Sequence, residues 1–135
     1  MKVSIIIPIY KQEKTIKVDL ETICATMSKT RWNYEVIAVV DGSPDDSFKE
    51  AKKVRLPNLV VLKYDINKGK GYAVRYGMAR ATGDYISFID SGMDIDPNVI
   101  SMLLEHMEWY NAYIVVASKK HPVSQVNKYP LIRKI

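Results

Sequence analysis

Familiar nucleotide and nucleophile motifs are missing from this chain of 135 residues. No Gly-x-Gly-x-x-Gly follows the first apolar run, and Gly69-Lys70-Gly71 lacks the Lys-Ser/Thr ending of a P-loop. These absences weaken the dinucleotide oxidoreductase and P-loop ATPase classes. There is also no Gly-x-Ser-x-Gly elbow, so a serine hydrolase built around either histidine has little support.

Cysteine and long apolar stretches are also scarce. The single cysteine, Cys24, excludes an internal disulfide and a multi-thiolate zinc site, and it fits a reducing compartment. No segment approaches the roughly 18 apolar residues of a membrane span. Pro8 interrupts the first apolar run and no small-residue cleavage site follows, so no signal peptide is expected. We therefore expect a soluble, cytoplasmic chain.

The charge balance is basic, with 20 Lys and Arg residues against 15 Asp and Glu residues. The net charge of +5 suits an anionic ligand or an anionic membrane surface. Nucleic acid is not expected as a partner, because the basic residues are scattered and no nucleic-acid motif accompanies them. Association with the cytoplasmic face of a membrane stays an open expectation.

Apolar runs and helical patterns alternate along the chain. Strand-like runs lie at residues 3–9, 34–40, 58–62, 85–90 and 112–117, and helical patterns lie at residues 14–27, 47–54, 72–80 and 97–108. Alternation with short connections predicts an α/β fold with a mostly parallel sheet flanked by helices. We expect residues 1–135 to form a single domain.

Acidic residues follow the fourth predicted strand. Asp90, Asp94 and Asp96 stand within seven residues of one another, directly after an apolar run. Ligands of open α/β sheets bind beyond the carboxyl ends of the strands, and acids there commonly hold a metal ion that binds phosphates. Asp96 precedes Pro97 and is better explained as a helix N-cap. The pattern predicts a nucleotide site.

Three further loops follow strands or open a helix, and each has a simple structural explanation when taken alone. Pro8-Ile9-Tyr10 can end a strand, and Asp41-Gly42-Ser43 can cap a helix. The basic turn at residues 68–71 can be a solvated surface.

The order of these segments resembles the donor half of a family 2 glycosyltransferase, the inverting class with the GT-A fold. The matching segments are residues 3–10 with Glu13, residues 39–47, residues 67–77 and residues 81–90. The Lys-Gly-Lys-Gly turn and residues 117–121 are most similar to polyprenyl-phosphate sugar transferases, in particular the dolichyl-phosphate glucosyl and mannosyl branch. The resemblance spans residues 3–120.

The resemblance implies a Rossmann-like GT-A domain that binds a nucleotide-diphosphate-sugar donor. In the family, an Asp-x-Asp motif binds Mg2+ or Mn2+, which bridges the diphosphate. Asp90 takes the first position of that motif. The residues that the resemblance assigns to the nucleotide are Pro8, Tyr10, Glu13, Asp41, Lys68, Lys70 and Asp90.

Gly92 stands where the family has the second acid of its metal motif. If the loop stays extended, Asp94 points to the same side as Asp90 and can supply the missing oxygen. Alternatively, the diphosphate and Asp90 hold the metal between them, because Mg2+ needs only one or two carboxylates. A third interpretation is a non-catalytic relative. We favour Asp90 and Asp94 as the metal ligands.

Further basic residues are candidates for phosphate contact. Lys68 and Lys70 come first, and Arg75 ranks below them because it lies inside the predicted helix and can face away. Lys119 stands where relatives often carry Arg, and it can meet donor or acceptor phosphate.

The sequence implies that this chain lacks some of the residues that sugar transfer requires. The acceptor is expected to be a lipid phosphate or a glycan, and no general base can be named in this chain. In relatives the acceptor-side residues come later, so we expect the base beyond Ile135 and the chain to be the donor-binding half of a longer enzyme. The competing functions are a nucleotidyltransferase, which normally opens with a glycine-rich loop, and a nucleotide-sugar-binding module or inactive relative.

Overall fold

The computed structural model describes residues 1–124. The described residues divide into two compact units, Met1–Ser101 and a second unit that begins at Met102. The elements in chain order are β1 (Lys2–Ile9), α1 (Ile16–Ser28), β2 (Asn33–Asp41), α2 (Ser47–Lys52), β3 (Leu59–Tyr64), α3 (Lys70–Met78), β4 (Tyr85–Phe88) and α4 (Asn98–Trp109). Strands and helices alternate, as the sequence predicts.

The four strands form one parallel sheet in the order β3-β2-β1-β4. The chain moves outward from β1 to β3 and then returns to the far side of β1. Right-handed crossovers therefore put α1 and α2 on one face and α3 on the other. In agreement with this, α1 contacts α2, whereas α3 packs on β1 and β2.

The core lies on both faces of the two central strands. From Val3 to Ile9 the side chains of β1 are buried, which explains why this strand is a nearly continuous apolar run. On the α3 face, Ile6 and Val39 pack against the helix at Gly77, where an added Cβ would lie 2.5 Å from Ile6 Cγ2. The helix approaches the sheet this closely because Gly77 has no side chain.

The amino ends of the strands are joined around Glu35. Its carboxylate accepts hydrogen bonds from Ser4 Oγ, from Lys2 Nζ at 2.9 Å and from Thr82 N at 2.8 Å. Burial works against the charged form, but these hydrogen bonds outweigh it and lower the pKa of Glu35 to about 2. The ionised carboxylate therefore ties the start of β4 to β1 and β2.

The predicted fifth strand is wrong for the described residues. Residues 112–117 form no strand, and Tyr113 and Ile114 are 96% and 81% exposed. The local pattern suits a strand, but a strand forms only by pairing, and no described strand pairs with this segment. Among residues 1–124, no helix has the length and apolar character needed to cross a bilayer.

Candidate active site at the carboxyl ends of the strands

β1 has β2 on one side and β4 on the other, so the direction of the chain across the sheet reverses at β1, and open α/β sheets bind ligands in the crevice beyond the carboxyl ends of the strands at such a point. The loops after β1 and β4 lie side by side. Ile89 N donates to Ile6 O at 3.1 Å, and Ser91 Oγ donates to Pro8 O at 3.3 Å. The sequence-predicted residues Pro8, near the end of β1, and Asp90, in the loop after β4, therefore lie close together at this crevice.

Asp41, at the end of β2, is only 3% exposed and its carboxylate is surrounded by donors. Tyr64 Oη donates to it at 2.7 Å, Lys68 N at 2.8 Å and Asn67 Nδ2 at 3.1 Å. Burial, followed by the hydrogen bond to this carboxylate, raises the pKa of Tyr64 well above its usual range. Asp41 thus fixes the loop that carries the basic residues. Its direct contact with a nucleotide stays a prediction.

Gly42 brings the backbone of the loop after β2 into contact with the backbone of the loop after β3. Its φ is +54°, and an added Cβ would lie 2.1 Å from Asn67 N. Only glycine fits this close approach without displacing the backbone of the neighbouring loop. The loop after β2 and the loop after β3 are therefore held together at one position.

The loop after β1, which carries Tyr10 and Glu13, is hydrogen-bonded to the loop after β2. Lys11 N donates to Ser43 Oγ at 2.9 Å, and Asp46 N donates to Glu13 Oε2 at 2.9 Å. Glu13 therefore binds the backbone just before α2, while Tyr10 is 42% exposed and open to a ligand.

Asp45 accepts several hydrogen bonds where the loop after β1 meets the loop after β2. It accepts hydrogen bonds from Ser43 Oγ, from Ser47 Oγ at 2.6 Å and from Ser47 N at 3.1 Å. Burial opposes its ionisation, but these bonds outweigh burial and lower the pKa of Asp45 to about 2. A cleft of about 550 Å³ opens here, lined by Lys11, Gln12, Glu13, Lys14, Thr15, Pro44 and Asp45. Asp90 and the predicted phosphate-binding lysines do not line it.

Lys70 and Asp90 form an ion pair at the crevice. Gly69, with a φ of +89°, turns the chain into α3, and Lys70 is the first residue of that helix. Its Nζ lies 2.7 Å from Asp90 Oδ2 and 2.5 Å from Oδ1. The basic and acidic segments that the sequence singled out are therefore in direct contact.

Lys68 occupies a different environment from Lys70. Its Nζ lies 4.5 Å from the centre of the Tyr72 ring and 3.4 Å from Tyr72 Oη. Tyr64 packs edge-on against Tyr72 with ring centres 5.3 Å apart. The Lys68 ammonium therefore lies over an aromatic cluster next to the buried carboxylate of Asp41.

The acidic loop is turned and not extended. Gly92 and Met93 have φ values of +95° and +60°, so the alternation that would have placed Asp94 beside Asp90 does not apply. The extended-loop premise is wrong, and Asp94 as a metal ligand stays a prediction. Gly92 N instead donates to Asp19 Oδ2 at 2.9 Å.

Asp19 is a residue that the sequence interpretation missed. It lies on α1, is 4% exposed and holds the turn of the acidic loop through Gly92. The sequence did contain a signal for the burial of Asp19, because position 19 falls among the apolar positions 16, 20 and 23 on the buried side of the helix. A carboxylate there must find a buried donor.

A family model described as glycosyl transferase family 2 matches residues 4–135. The chain belongs to glycosyl transferase family 2.

Curated relatives of this family 2 chain include polyprenyl-phosphate transferases. An undecaprenyl-phosphate 4-deoxy-4-formamido-L-arabinose transferase from Klebsiella pneumoniae is 32% identical over an alignment of 110 positions, which covers 77% of this chain and 33% of the relative. A dolichol-phosphate mannosyltransferase from Pyrococcus furiosus is 29% identical over an alignment of 136 positions, which covers 100% of this chain and 38% of the relative. The chain therefore spans about a third of the length of these relatives.

Solved structures share the same fold. S. aureus TarS 1–349 in complex with UDP-GlcNAc has a TM-score of 0.64 and 27% identity, over 82% of this chain and 32% of that protein. Structures of this fold that are 24% identical include complexes crystallised with Mn2+. The predicted GT-A fold and the predicted family are both confirmed, and transferases of the predicted polyprenyl-phosphate branch are among the relatives.

Arg75 and Lys119 are the two remaining predicted phosphate contacts. Arg75 is exposed on α3, five residues after Lys70, and a rotation of about 100° per residue carries it to a different side of the helix. Lys119 is exposed in the second unit. Contact of either residue with phosphate stays a prediction.

The described residues 1–124 contain no group of three or more side chains suited to a metal ion. Asp90 nevertheless has the chemistry that Mg2+ or Mn2+ requires, because it offers two carboxylate oxygens that already face a cation, the Lys70 ammonium. One carboxylate with diphosphate oxygens and water is a normal Mg2+ environment. Asp90 therefore fits a metal that the nucleotide brings with it.

Proposed function

We propose that this family 2 chain binds a nucleotide-diphosphate-sugar and is the donor half of an inverting glycosyltransferase. The observation that carries the proposal is the Lys70–Asp90 pair at the crevice between β1 and β4. A carboxylate suited to a divalent cation and an ammonium suited to phosphate stand within contact distance there.

The reaction needs charge stabilisation more than covalent chemistry from the protein. An acceptor oxygen bonds to the anomeric carbon while the bond from that carbon to the donor phosphate breaks, and the nucleoside diphosphate leaves. Lys70, and Lys68 beside it, would bind the negative charge that builds on the departing diphosphate. Mg2+ or Mn2+, held by Asp90, would supply Lewis-acid neutralisation of the same charge.

We propose a polyprenyl phosphate or a glycan as the acceptor. The relatives named for undecaprenyl phosphate and dolichol phosphate support the lipid class. A lipid phosphate is already an anion and needs no general base, whereas a glycan hydroxyl must lose a proton. A lipid acceptor also leads us to propose that the protein works at the cytoplasmic face of a membrane.

The test is isothermal titration calorimetry of the chain with UDP and GDP, each with and without Mn2+. We expect one diphosphate to bind, and to bind more tightly with Mn2+, whereas the matching monophosphate binds more weakly because it offers fewer oxygens to Lys70 and the metal. A chain that binds neither diphosphate under any of these conditions would contradict the proposal.

A second candidate, a nucleotide-sugar-binding module without transferase activity, is favoured by Gly92 in place of an acid. The same titration with Gly92→Asp separates the two, provided that circular dichroism shows the variant folded, because the φ of +95° at position 92 strains any residue with a side chain. A catalytic metal site should keep or gain Mn2+ dependence when the carboxylate is restored. A site with no metal function should bind nucleotide equally well with and without Mn2+ in both forms.

A further inference from the structure

The Lys70–Asp90 ion pair joins two groups that have separate tasks under the proposed function. Asp90 is the candidate ligand for the divalent cation, and Lys70 is a candidate ligand for the diphosphate. The ammonium contacts both carboxylate oxygens, at 2.7 and 2.5 Å. The ammonium therefore competes with a divalent cation for the Asp90 oxygens, and the carboxylate competes with a diphosphate for the ammonium.

Helix stability does not explain a lysine at this position. Lys70 is the first residue of α3, and the first turn of that helix contains no acidic residue. A helix carries partial positive charge at its amino end, so a cation there is unfavourable unless an anion lies nearby. Asp90 supplies that anion from another loop.

The pair is also easy to open. The Lys70 and Asp90 side chains are 54% and 45% exposed. Exposed ion pairs contribute little to stability, because water and salt screen them. A divalent cation can therefore take the Asp90 oxygens without disrupting the core.

We propose that Lys70 is an internal counter-ion that couples metal binding to diphosphate binding. A cation that binds Asp90 displaces the ammonium, and the displaced ammonium is then free to bind the diphosphate. By reciprocity, a diphosphate that draws Lys70 away exposes Asp90 to the metal and raises its affinity by the same factor. This inference rests on the proposed function and adds a control of metal affinity to it.

Lys70→Met tests the coupling, because it keeps most of the length of the side chain and removes its charge. Without nucleotide, Mn2+ should bind the variant about three- to tenfold more tightly, since a unit positive charge a few ångströms from the metal site is gone. Without metal, UDP or GDP should bind several-fold more weakly. The enhancement of Mn2+ affinity by nucleotide should fall by a factor of about three to ten.

Mn2+ affinity is measured by electron paramagnetic resonance of the free ion, and nucleotide affinity by calorimetry. Lys53→Met is the matched control, because Lys53 forms an exposed ion pair with Glu50 on α2 and its loss changes the net charge equally. Lys70→Arg keeps the charge and should stay close to the wild type in Mn2+ affinity. Lys70→Gln, which also removes the charge, takes the place of Lys70→Met if that variant does not fold.

The outcomes distinguish a failure of the coupling from a failure of the proposed function. Tighter Mn2+ binding together with weaker nucleotide binding in Lys70→Met, and neither change in Lys53→Met, supports the coupling. If the wild type binds nucleotide but Lys70→Met matches Lys53→Met, the coupling is refuted and the proposed function stands. If the wild type binds no nucleotide, both are refuted.

Discussion

Replacement of Asp41 by Asn tests whether this carboxylate anchors the basic loop or contacts a nucleotide. The side chain is 3% exposed and accepts hydrogen bonds from Tyr64, Asn67 and Lys68. Asn has the same shape but no charge, and its amide nitrogen must face one of these donors. The change therefore keeps the volume and disturbs the hydrogen bonds.

The expected cost follows from the three donors. A hydrogen bond to a charged group contributes about 1.5–3 kcal/mol, and one between neutral groups about 0.5–1.5 kcal/mol. A loss of about 1 kcal/mol at each donor lowers the free energy of unfolding by about 3 kcal/mol. For 135 residues this corresponds to a fall of about 10 °C in the melting temperature.

Urea denaturation followed by far-ultraviolet circular dichroism measures the change in unfolding free energy. Asp65→Asn is the matched control, because Asp65 is exposed just beyond β3 and its change should stay within about 0.5 kcal/mol. An Asp41→Asn variant that is as stable as this control but has lost nucleotide binding would refute the anchoring role and identify Asp41 as a direct ligand.

Two further predictions concern sites away from the crevice. The pKa of Glu35 falls from 4.5 to about 2 on folding, so its stabilisation is complete above pH 5 and should be lost as the pH falls towards 2. The free energy of unfolding, measured as a function of pH for the wild type and for Glu35→Gln, checks this. If the two pH dependences run parallel, the prediction is contradicted. Gly77→Ala should destabilise the protein by about 1–2 kcal/mol in urea denaturation, because the clash with Ile6 exceeds the gain in helix propensity. A stabilised variant would mean that α3 can shift freely.

The sequence predicted those parts of the fold that depend on local pattern. The apolar run of β1 and the alternation of strands and helices identified a parallel sheet, and turn residues located the loops at the strand ends. Helix α3 begins at Lys70, whereas the prediction began at Tyr72, since apolar spacing does not report how a flanking basic residue finds an acidic partner. Boundaries were therefore less accurate than the order of the elements.

The site was harder to predict because it depends on contacts between distant segments. Nothing near Asp41 in the sequence indicates that Tyr64 and Lys68 enclose it, or that Asp19 supports Gly92. The conformation of the acidic loop was also inaccessible, since positive φ at Met93 is rare for a residue with a side chain. Motif order identified the family, while the role of each acid required three-dimensional contacts.

The contact between Gly42 and the peptide of Asn67 has a consequence for protein engineering. Because the two loops touch through their backbones, a residue inserted into either would push the other out of register. The connection at residues 53–58, between α2 and β3, lies apart from this contact. A library that varies loop length should leave residues 41–43 and 66–68 unchanged and place its insertions at residues 53–58.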